Sequence, residues 1–255
     1  MVPPITLEQT SHPITASTET TSPTSDGSLQ KKARLVGLLY FLGALTAAYA
    51  FGYLPSKILV EGDAAATTNN MLAHEFAFRL GIVSKLVGAI ISVFFMLALY
   101  RLFKHVNEQQ AKLMIALIVV QIPIGFMLEA FEITSLMVLK GQVWGTLALE
   151  EKQNMAMLLL EMNKNGVMAL VLLWGMWLFP FGRLVYQSGF IPRILGILLT
   201  INGIAYIIDS LTFLLFPDYK DLVRTYMFPF FFGEVAIILW LLIKGAKTPV
   251  VKPAT

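Results

Sequence analysis

The chain alternates between long apolar segments and short polar ones, and this pattern predicts six membrane-spanning helices. A helix needs about 20 mostly apolar residues to cross the roughly 30 Å of hydrocarbon in a bilayer. Segments of about this length run over residues 35–54, 81–103, 112–139, 165–181, 192–216 and 225–243. The predicted fold is therefore an all-α, polytopic membrane bundle of six transmembrane helices.

The residues outside the spans divide the chain into three parts. Residues 1–30 are rich in Ser, Thr and Pro. Such a segment buries too little apolar surface to offset the entropy lost on ordering, so we expect a disordered cytoplasmic tail. Residues 31–245 form the transmembrane domain, and residues 246–255 form a second short cytoplasmic tail. Within the domain, residues 62–78 favour a short helix at the membrane surface, with Asp63 as its N-cap.

Prolines and glycines indicate where individual helices bend or stop. Pro55 is expected to end the first span, because proline lacks an N–H and its ring clashes with the preceding turn. Pro123 is expected to kink the third span. The polar stretch at 147–162 has helical spacing and is expected to extend the fourth span outward. Gly189 suits a tight turn between spans four and five, because glycine readily adopts a positive φ angle.

Composition places the chain among integral membrane proteins and excludes several other classes. Charged residues make up 14% of the chain, against about a quarter in soluble domains. The basic residues are spread along the ends of apolar segments, so the net charge of +3 does not indicate nucleic-acid binding. There is no cysteine, and the three histidines are scattered, so we expect no disulfide, no metal site and no cofactor. No HExxH, GxSxG, Walker or GxGxxG pattern occurs, so no catalytic residue is assigned.

Lysine and arginine near the span ends predict which side each loop faces, because cytoplasmic loops are enriched in these residues. A dense basic group, Lys31, Lys32 and Arg34, precedes the first span, and the other loops on that side are short and nearly free of acids. Both termini are therefore expected in the cytoplasm. The four tryptophans are interpreted as interface anchors and packing residues.

Polar side chains inside the spans are the candidate functional residues, because a charge in hydrocarbon is stable only when it faces a partner or the bundle interior. Glu129 and Glu132 on the third span share one helix face, since they are three residues apart. The candidates for a polar pocket in the outer half of the bundle are Arg79, Lys85, Glu129, Glu132, Asn165, Asp209 and Glu234. Acids outnumber bases in this set. We therefore expect a carboxylate to approach Arg79 or Lys85, and the surplus acid to attract a cation or polar molecule.

Three functions are compatible with such a pocket. The leading one is the binding or transport of a cation or small polar molecule in an outward-facing pocket. The second is an intramembrane enzyme that uses Glu129, Glu132 or Asp209 as acid or base on a lipid-borne substrate. The third is a structural or signalling subunit whose charges pair with each other or with a protein partner. The lipid bilayer is the one partner that composition itself implies.

Several stretches of the chain together resemble a known family. These are residues 174–196, WGMWLFPFGRLVYQSGFIPRILG, the start of the first span, ARLVGLLYFLGAL, and the segments GDAAATTNN and FRLGIV around Arg79. They are similar to the bacterial multi-pass membrane family named domain of unknown function 4386, over roughly residues 33–245. The resemblance implies a six-span protein of the bacterial inner (plasma) membrane, and it implies no particular reaction.

Overall fold

The computed structural model describes residues 23–246, with side chains from residue 27 onward, and in this part of the chain it contains helices and no strands. In chain order the helices are α1 (Pro23–Ala47), α2 (Leu54–Ile58), α3 (Ala64–Ala73), α4 (Glu75–Phe103), α5 (Glu108–Val119), α6 (Gln121–Leu139), α7 (Leu149–Ser188), α8 (Arg193–Leu215), α9 (Lys220–Met227) and α10 (Phe232–Ile243). A π-helical turn, Ala48–Tyr53, joins α1 to α2, and 3-10 turns, Pro217–Tyr219 and Phe228–Phe231, flank α9.

Six stretches of the described chain are long and apolar enough to cross a membrane, which confirms the six-span prediction. They are Gly27–Ile58, Glu75–Phe103, Glu108–Leu139, Leu149–Ser188, Arg193–Leu215 and Pro217–Ile243. Helix α1 packs against α4 and α10, while α6 and α8 both pack along α7. The long fourth span is thus the helix around which half of the bundle is built.

The first helix begins earlier than the sequence indicated. α1 starts at Pro23, so residues 23–30 are helical and the prediction of a disordered tail is wrong for them. Leu29 packs against the larger hydrophobic core, and the side chain of Gln30 lies against Gly245 beyond α10. These contacts bury surface in three dimensions that the local composition does not reveal. The rest of the predicted tails, 1–22 and 247–255, lies outside the described residues.

Pro55 does not end the first span, contrary to prediction. The chain winds through the π-helical turn at Ala48–Tyr53 and continues as α2, with Pro55 in its first turn. A proline ring clashes with the carbonyl four residues earlier in a regular α-helix. A π turn widens the winding just before the proline, and the helix continues to Ile58 before it stops.

The third and fourth spans follow the predicted pattern. The third breaks at Val120, between α5 and α6, because Pro123 has no N–H to donate to the carbonyl of Val119. Helix α7 has 40 residues, and its length of about 60 Å is roughly twice the hydrocarbon thickness. The polar stretch is thus helical from Leu149 onward and continuous with the fourth span, and its position outside the bilayer stays a prediction.

The short helix α3 covers one end of the bundle. Asp63 caps it by accepting a 2.7 Å hydrogen bond from the Ala66 N–H, as predicted. Thr67, Thr68 and Met71 are buried on one side, where α3 meets α6 and α7. The helix therefore lies on the bundle, and its position at a membrane surface stays a prediction.

Helices α7 and α8 form a hairpin whose glycines bring the two backbones into contact. A Cβ added to Gly175 would lie 2.6 Å from the carbonyl oxygen of Gly203, and one added to Gly182 would lie 2.7 Å from that of Gly196. The two glycines on each helix are two turns apart and so share a face. Gly189 closes the hairpin with a φ of 71°, as predicted. Small residues let membrane helices pack this closely.

The bundle has two packed cores, separated along the helix axes. The larger lies toward the α7–α8 turn and includes Leu99, Phe103, Met114, Phe181 and Leu184. The smaller lies at the opposite end, beneath α3, and includes Leu54, Met71, Phe78, Ile82 and Leu136. Between these two cores, in the middle of the spans, the helices leave a cavity.

Candidate functional site: a cavity in the middle of the bundle

All six spans contribute to one cavity of about 720 Å³. It lies along residues 85–96 of α4 and 167–177 of α7, between the two cores. Small side chains on three spans leave the space open, namely Gly43, Ala44, Ala47, Gly88, Ala89 and Gly125. Most of the lining is apolar, and its charged residues are Lys85, Glu129 and Glu234.

Lys85 forms the ion pair that the sequence predicted. Its Nζ lies 2.8 Å from Oε2 of Glu129 and 2.6 Å from Oε1 of Glu132. The three side chains are 9%, 6% and 13% exposed, so the group is nearly buried. Glu129 and Glu132 share one face of α6, as their spacing requires, and together they hold the ammonium that α4 presents.

This lysine is outnumbered by its carboxylates. The contact with Glu129 Oε2 is a close ion pair without hydrogen-bond geometry, and Glu132 Oε2 has no hydrogen-bond partner among the described residues. One ammonium therefore lies between two carboxylates. We call Lys85, Glu129 and Glu132 the Lys85 group, and it contains two acidic side chains and one basic side chain.

Glu234 is bound in a different way, by neutral groups. The Tyr40 hydroxyl donates a hydrogen bond to Oε2, and the Asn202 amide nitrogen donates one of 2.9 Å to Oε1. Tyr206 lines the same cavity as this carboxyl group. Within residues 27–246 no lysine or arginine forms an ion pair with it. Asn202 Oδ1 is buried beside it without a hydrogen-bond partner.

Aromatic rings connect the two acidic groups along the cavity wall. Lys85 Nζ lies 6.0 Å from the centroid of the Phe51 ring, which packs edge-on against Trp174 at 5.6 Å. Trp174 contacts Tyr206 at 6.4 Å, and Tyr206 stacks on Phe231 at 4.8 Å. Phe51 belongs to the π-helical turn, a kind of distortion found often at functional sites. The tryptophans were interpreted as interface anchors and packing residues, and two of them, Trp174 and Trp177, also line the cavity.

Two of the predicted pocket residues, Arg79 and Asn165, lie on the surface of the bundle. Arg79 is half exposed and pairs with Glu75 at 2.8 Å, and Lys140 joins the same glutamate at 2.9 Å. Asn165 is exposed on α7, while Asn163 is buried and donates a 2.9 Å hydrogen bond to the Leu128 carbonyl. The sequence correctly located an asparagine at this level of α7 and chose the wrong one.

Asp209 is buried but forms a third, separate group. It pairs with Arg224 of α9 at 3.2 Å, and neither residue lines the large cavity. The predicted single cluster of charges is therefore divided into four places in the bundle. Of the seven candidates, Lys85, Glu129 and Glu234 line the cavity. Glu132 does not line it but forms an ion pair with Lys85.

The functional residues that sequence reasoning missed are mostly aromatic. Tyr40 and Tyr206 lie within apolar spans, and a search for charged residues passes over them. A hydroxyl-bearing ring in the middle of a span was nevertheless a usable signal, because a buried tyrosine needs a hydrogen-bond partner. Glu234 is that partner for Tyr40.

A family model described as Domain of unknown function (DUF4386) matches residues 35–245, which include every residue lining the cavity. The chain belongs to this family. A protein of Archaeoglobus fulgidus, described as uncharacterized, is 46% identical over 74 residues, which are 29% of this chain and 43% of that protein. The DUF4386 chain thus spans less than half the length of this relative. No solved structure matches the DUF4386 chain. Its bacterial origin stays a prediction.

Proposed function

We propose that this DUF4386 protein binds a small molecule in the middle of the membrane and serves as a binding or transport protein. The cavity of about 720 Å³ is the observation that carries the proposal. Small-molecule sites are typically about 300–1,000 Å³, mostly apolar, with a few converging polar groups. This cavity has that composition, with Lys85, Glu129 and Glu234 as its charged groups.

An occupant is also expected from packing. Protein interiors are close-packed, and voids larger than a water molecule are few. Water fills a cavity stably only where two to four polar partners surround it. The lining here is mostly apolar, so a molecule with substantial apolar surface fits it better than water does.

Access from the bilayer is built into the cavity wall. Phe126, Phe228 and Val235 line the cavity and are 43%, 58% and 45% exposed on the bundle surface. A ligand dissolved in the membrane can enter there without crossing a polar layer. The same opening suits a lipid-borne substrate, which is the observation that favours the enzyme as second candidate. Chemical conversion of a bound compound would distinguish the enzyme from the binding protein.

The proposed setting is the plasma membrane, with both termini in the cytoplasm and the Lys85 group toward the outer face. The basic group Lys31, Lys32 and Arg34, in the first half of α1, supports this orientation. Reporter fusions at residues 107 and 188 should then be active on the cytoplasmic side, and fusions at residues 70 and 147 on the outer side. An external reporter at residue 107 would reverse the orientation.

The cavity itself can be tested by filling it. Gly125 lines the cavity, and a Cβ added there meets no atom within 4 Å, so Gly125→Leu extends into the space without a clash. Gly52 also has open space at its Cβ and does not line the cavity, so Gly52→Leu is the matched control. Both replacements also remove a glycine from a helix, which by itself contributes about 1 kcal/mol of stability.

The measurement is the thermal stability of the detergent-purified protein against a panel of small lipophilic and polar compounds. A ligand at 100 times its Kd stabilises a protein by about 2.7 kcal/mol. We expect compounds that raise the Tm of the wild type and of Gly52→Leu but not of Gly125→Leu. A panel without any stabilising compound, or equal shifts in Gly125→Leu, would contradict the proposal.

A further inference from the structure

We infer that the ligand of this cavity is an organic cation with an apolar body, and that Glu234 is the group that binds its positive charge. This inference rests on the proposed function, since it names the ligand class for the same site. It is carried by three observations: the sign of the charges around the cavity, the aromatic surroundings of Glu234, and the dispersal of the acids.

The charges around the cavity favour a cation over an anion. Lys85 is the only lysine or arginine in the lining, and it already lies between Glu129 and Glu132. An anionic ligand would therefore meet an ammonium group that is already paired with two carboxylates, and more acidic than basic side chains around it. Among the described residues Glu234 has hydroxyl and amide partners only. A ligand cation would therefore be the first opposite charge that it contacts.

Two pairs of packed aromatic rings line the cavity together with Glu234. Tyr40 packs on Phe95 with ring centroids 4.5 Å apart, and Tyr206 stacks on Phe231 at 4.8 Å. All four rings line the cavity together with the carboxyl group. Rings of this kind attract alkylammonium groups through their negative faces, and the attraction strengthens when the cation is desolvated. A carboxylate bordered by such rings fits an amine or a quaternary ammonium.

The arrangement of the acids favours an organic cation over a metal ion. Within residues 23–246 no three His, Cys, Asp or Glu side chains gather closely enough to hold a metal. Along α1 and the π-helical turn that follows it, the contacts of Tyr40 with Glu234 and of Phe51 with Lys85 are separated by roughly 15 Å. A ligand long enough to fill this length binds its charge at Glu234 and packs its apolar part along Trp174 and Phe51.

The test uses a permanently charged probe and its neutral isostere. Benzyltrimethylammonium and neopentylbenzene have nearly the same shape and differ in one charge. We expect the ammonium to stabilise the detergent-purified full-length protein, and to bind at least about tenfold more tightly than the neutral compound. Glu234→Gln should remove this preference. Glu150→Gln, at an exposed glutamate in the first turn of α7, should retain it.

The outcomes separate the inference from the proposed function. If neopentylbenzene binds as tightly as the ammonium, or if Glu234→Gln keeps the preference, the cavity binds small molecules but the inference is wrong. If neither probe nor any compound of the panel binds, the proposed function itself fails. If Glu234→Gln does not fold, the comparison of the two probes in the wild type, with Gly125→Leu as the blocked cavity, still decides whether the cavity prefers a cation.

Discussion

The Lys85 group and the Glu234 group are two acidic sites in one bundle, and they satisfy their carboxylates differently. At Lys85 an ammonium from α4 contacts two carboxylates of α6 at 2.8 and 2.6 Å. At Glu234 the partners are a phenol from α1 and an amide from α8. The first site joins α4 to α6 without a ligand, whereas the second has no cationic partner among the described residues and is the one that we infer a ligand cation to occupy. Counting acids against bases along a chain cannot separate these two situations.

The largest expected effect comes from removing the lysine. Lys85→Met leaves Glu129 and Glu132 buried without an opposite charge, and breaking a buried pair typically destabilises by about 3–5 kcal/mol. The free energy of unfolding in dodecyl sulfate titrations measures this loss. Lys164→Met is the control, since Lys164 is half exposed and its 3.3 Å pair with Glu161 is at the surface.

The same variant can be repaired if the Lys85 group is structural. Lys85→Met combined with Glu129→Leu and Glu132→Leu replaces the charged group by apolar side chains of similar size. Such replacements of buried pairs are often neutral, so most of the stability should return. A triple variant as unstable as Lys85→Met alone would show that these charges do more than hold α4 against α6.

A smaller loss is expected at Asp209. Its partner Arg224 has a side chain that is 55% exposed, so after Asp209→Asn the guanidinium still reaches water. The expected destabilisation is about 1 kcal/mol, with Asp218→Asn at an exposed position as the control. A loss as large as that of Lys85→Met would mean that the bond between α8 and α9 is as important to the fold as the buried group.

The smallest effect on stability is expected at Glu234. Glu234→Gln keeps the size of the side chain and an oxygen that accepts from Tyr40 or Asn202, so the free energy of unfolding without ligand should change by less than about 1 kcal/mol. The consequence should appear in the binding of organic cations instead. A loss of several kcal/mol in the ligand-free protein would place Glu234 in the same structural class as Lys85.

The Lys85 group was predictable from the sequence because its determinants are one-dimensional. Glu129 and Glu132 are three residues apart, and the positions of both spans put them at the depth of Lys85. The rotation of a helix about its axis is not determined in this way. Asn163 and Asn165 are separated by about 200° around α7, and only the packing of α6 decides that Asn163 is the one that faces inward.

The cavity and Glu234's partners were not predictable, because they depend on contacts between distant spans. Tyr40 and Glu234 are 194 residues apart in the chain. Arg224 lies just outside the predicted sixth span, 225–243, whereas the irregular chain around Pro217 and Pro229 folds it back to Asp209. Hydrophobic periodicity is insensitive to such breaks in a helix, since both sides of each break remain apolar.

Backbone contact between α7 and α8 leaves that hairpin little room to change. Gly175 lies against Gly203 and Gly182 against Gly196, so at these two points the backbones themselves would have to move for the helices to approach or slide. Any widening of the cavity must therefore come from the opposite wall. There the winding is already irregular, at the π-helical turn that carries Phe51 and at the 3-10 turn, Phe228–Phe231. We therefore expect the cavity to adapt to ligands of different size at these two turns, where Phe51 and Phe228 are exposed on the bundle surface.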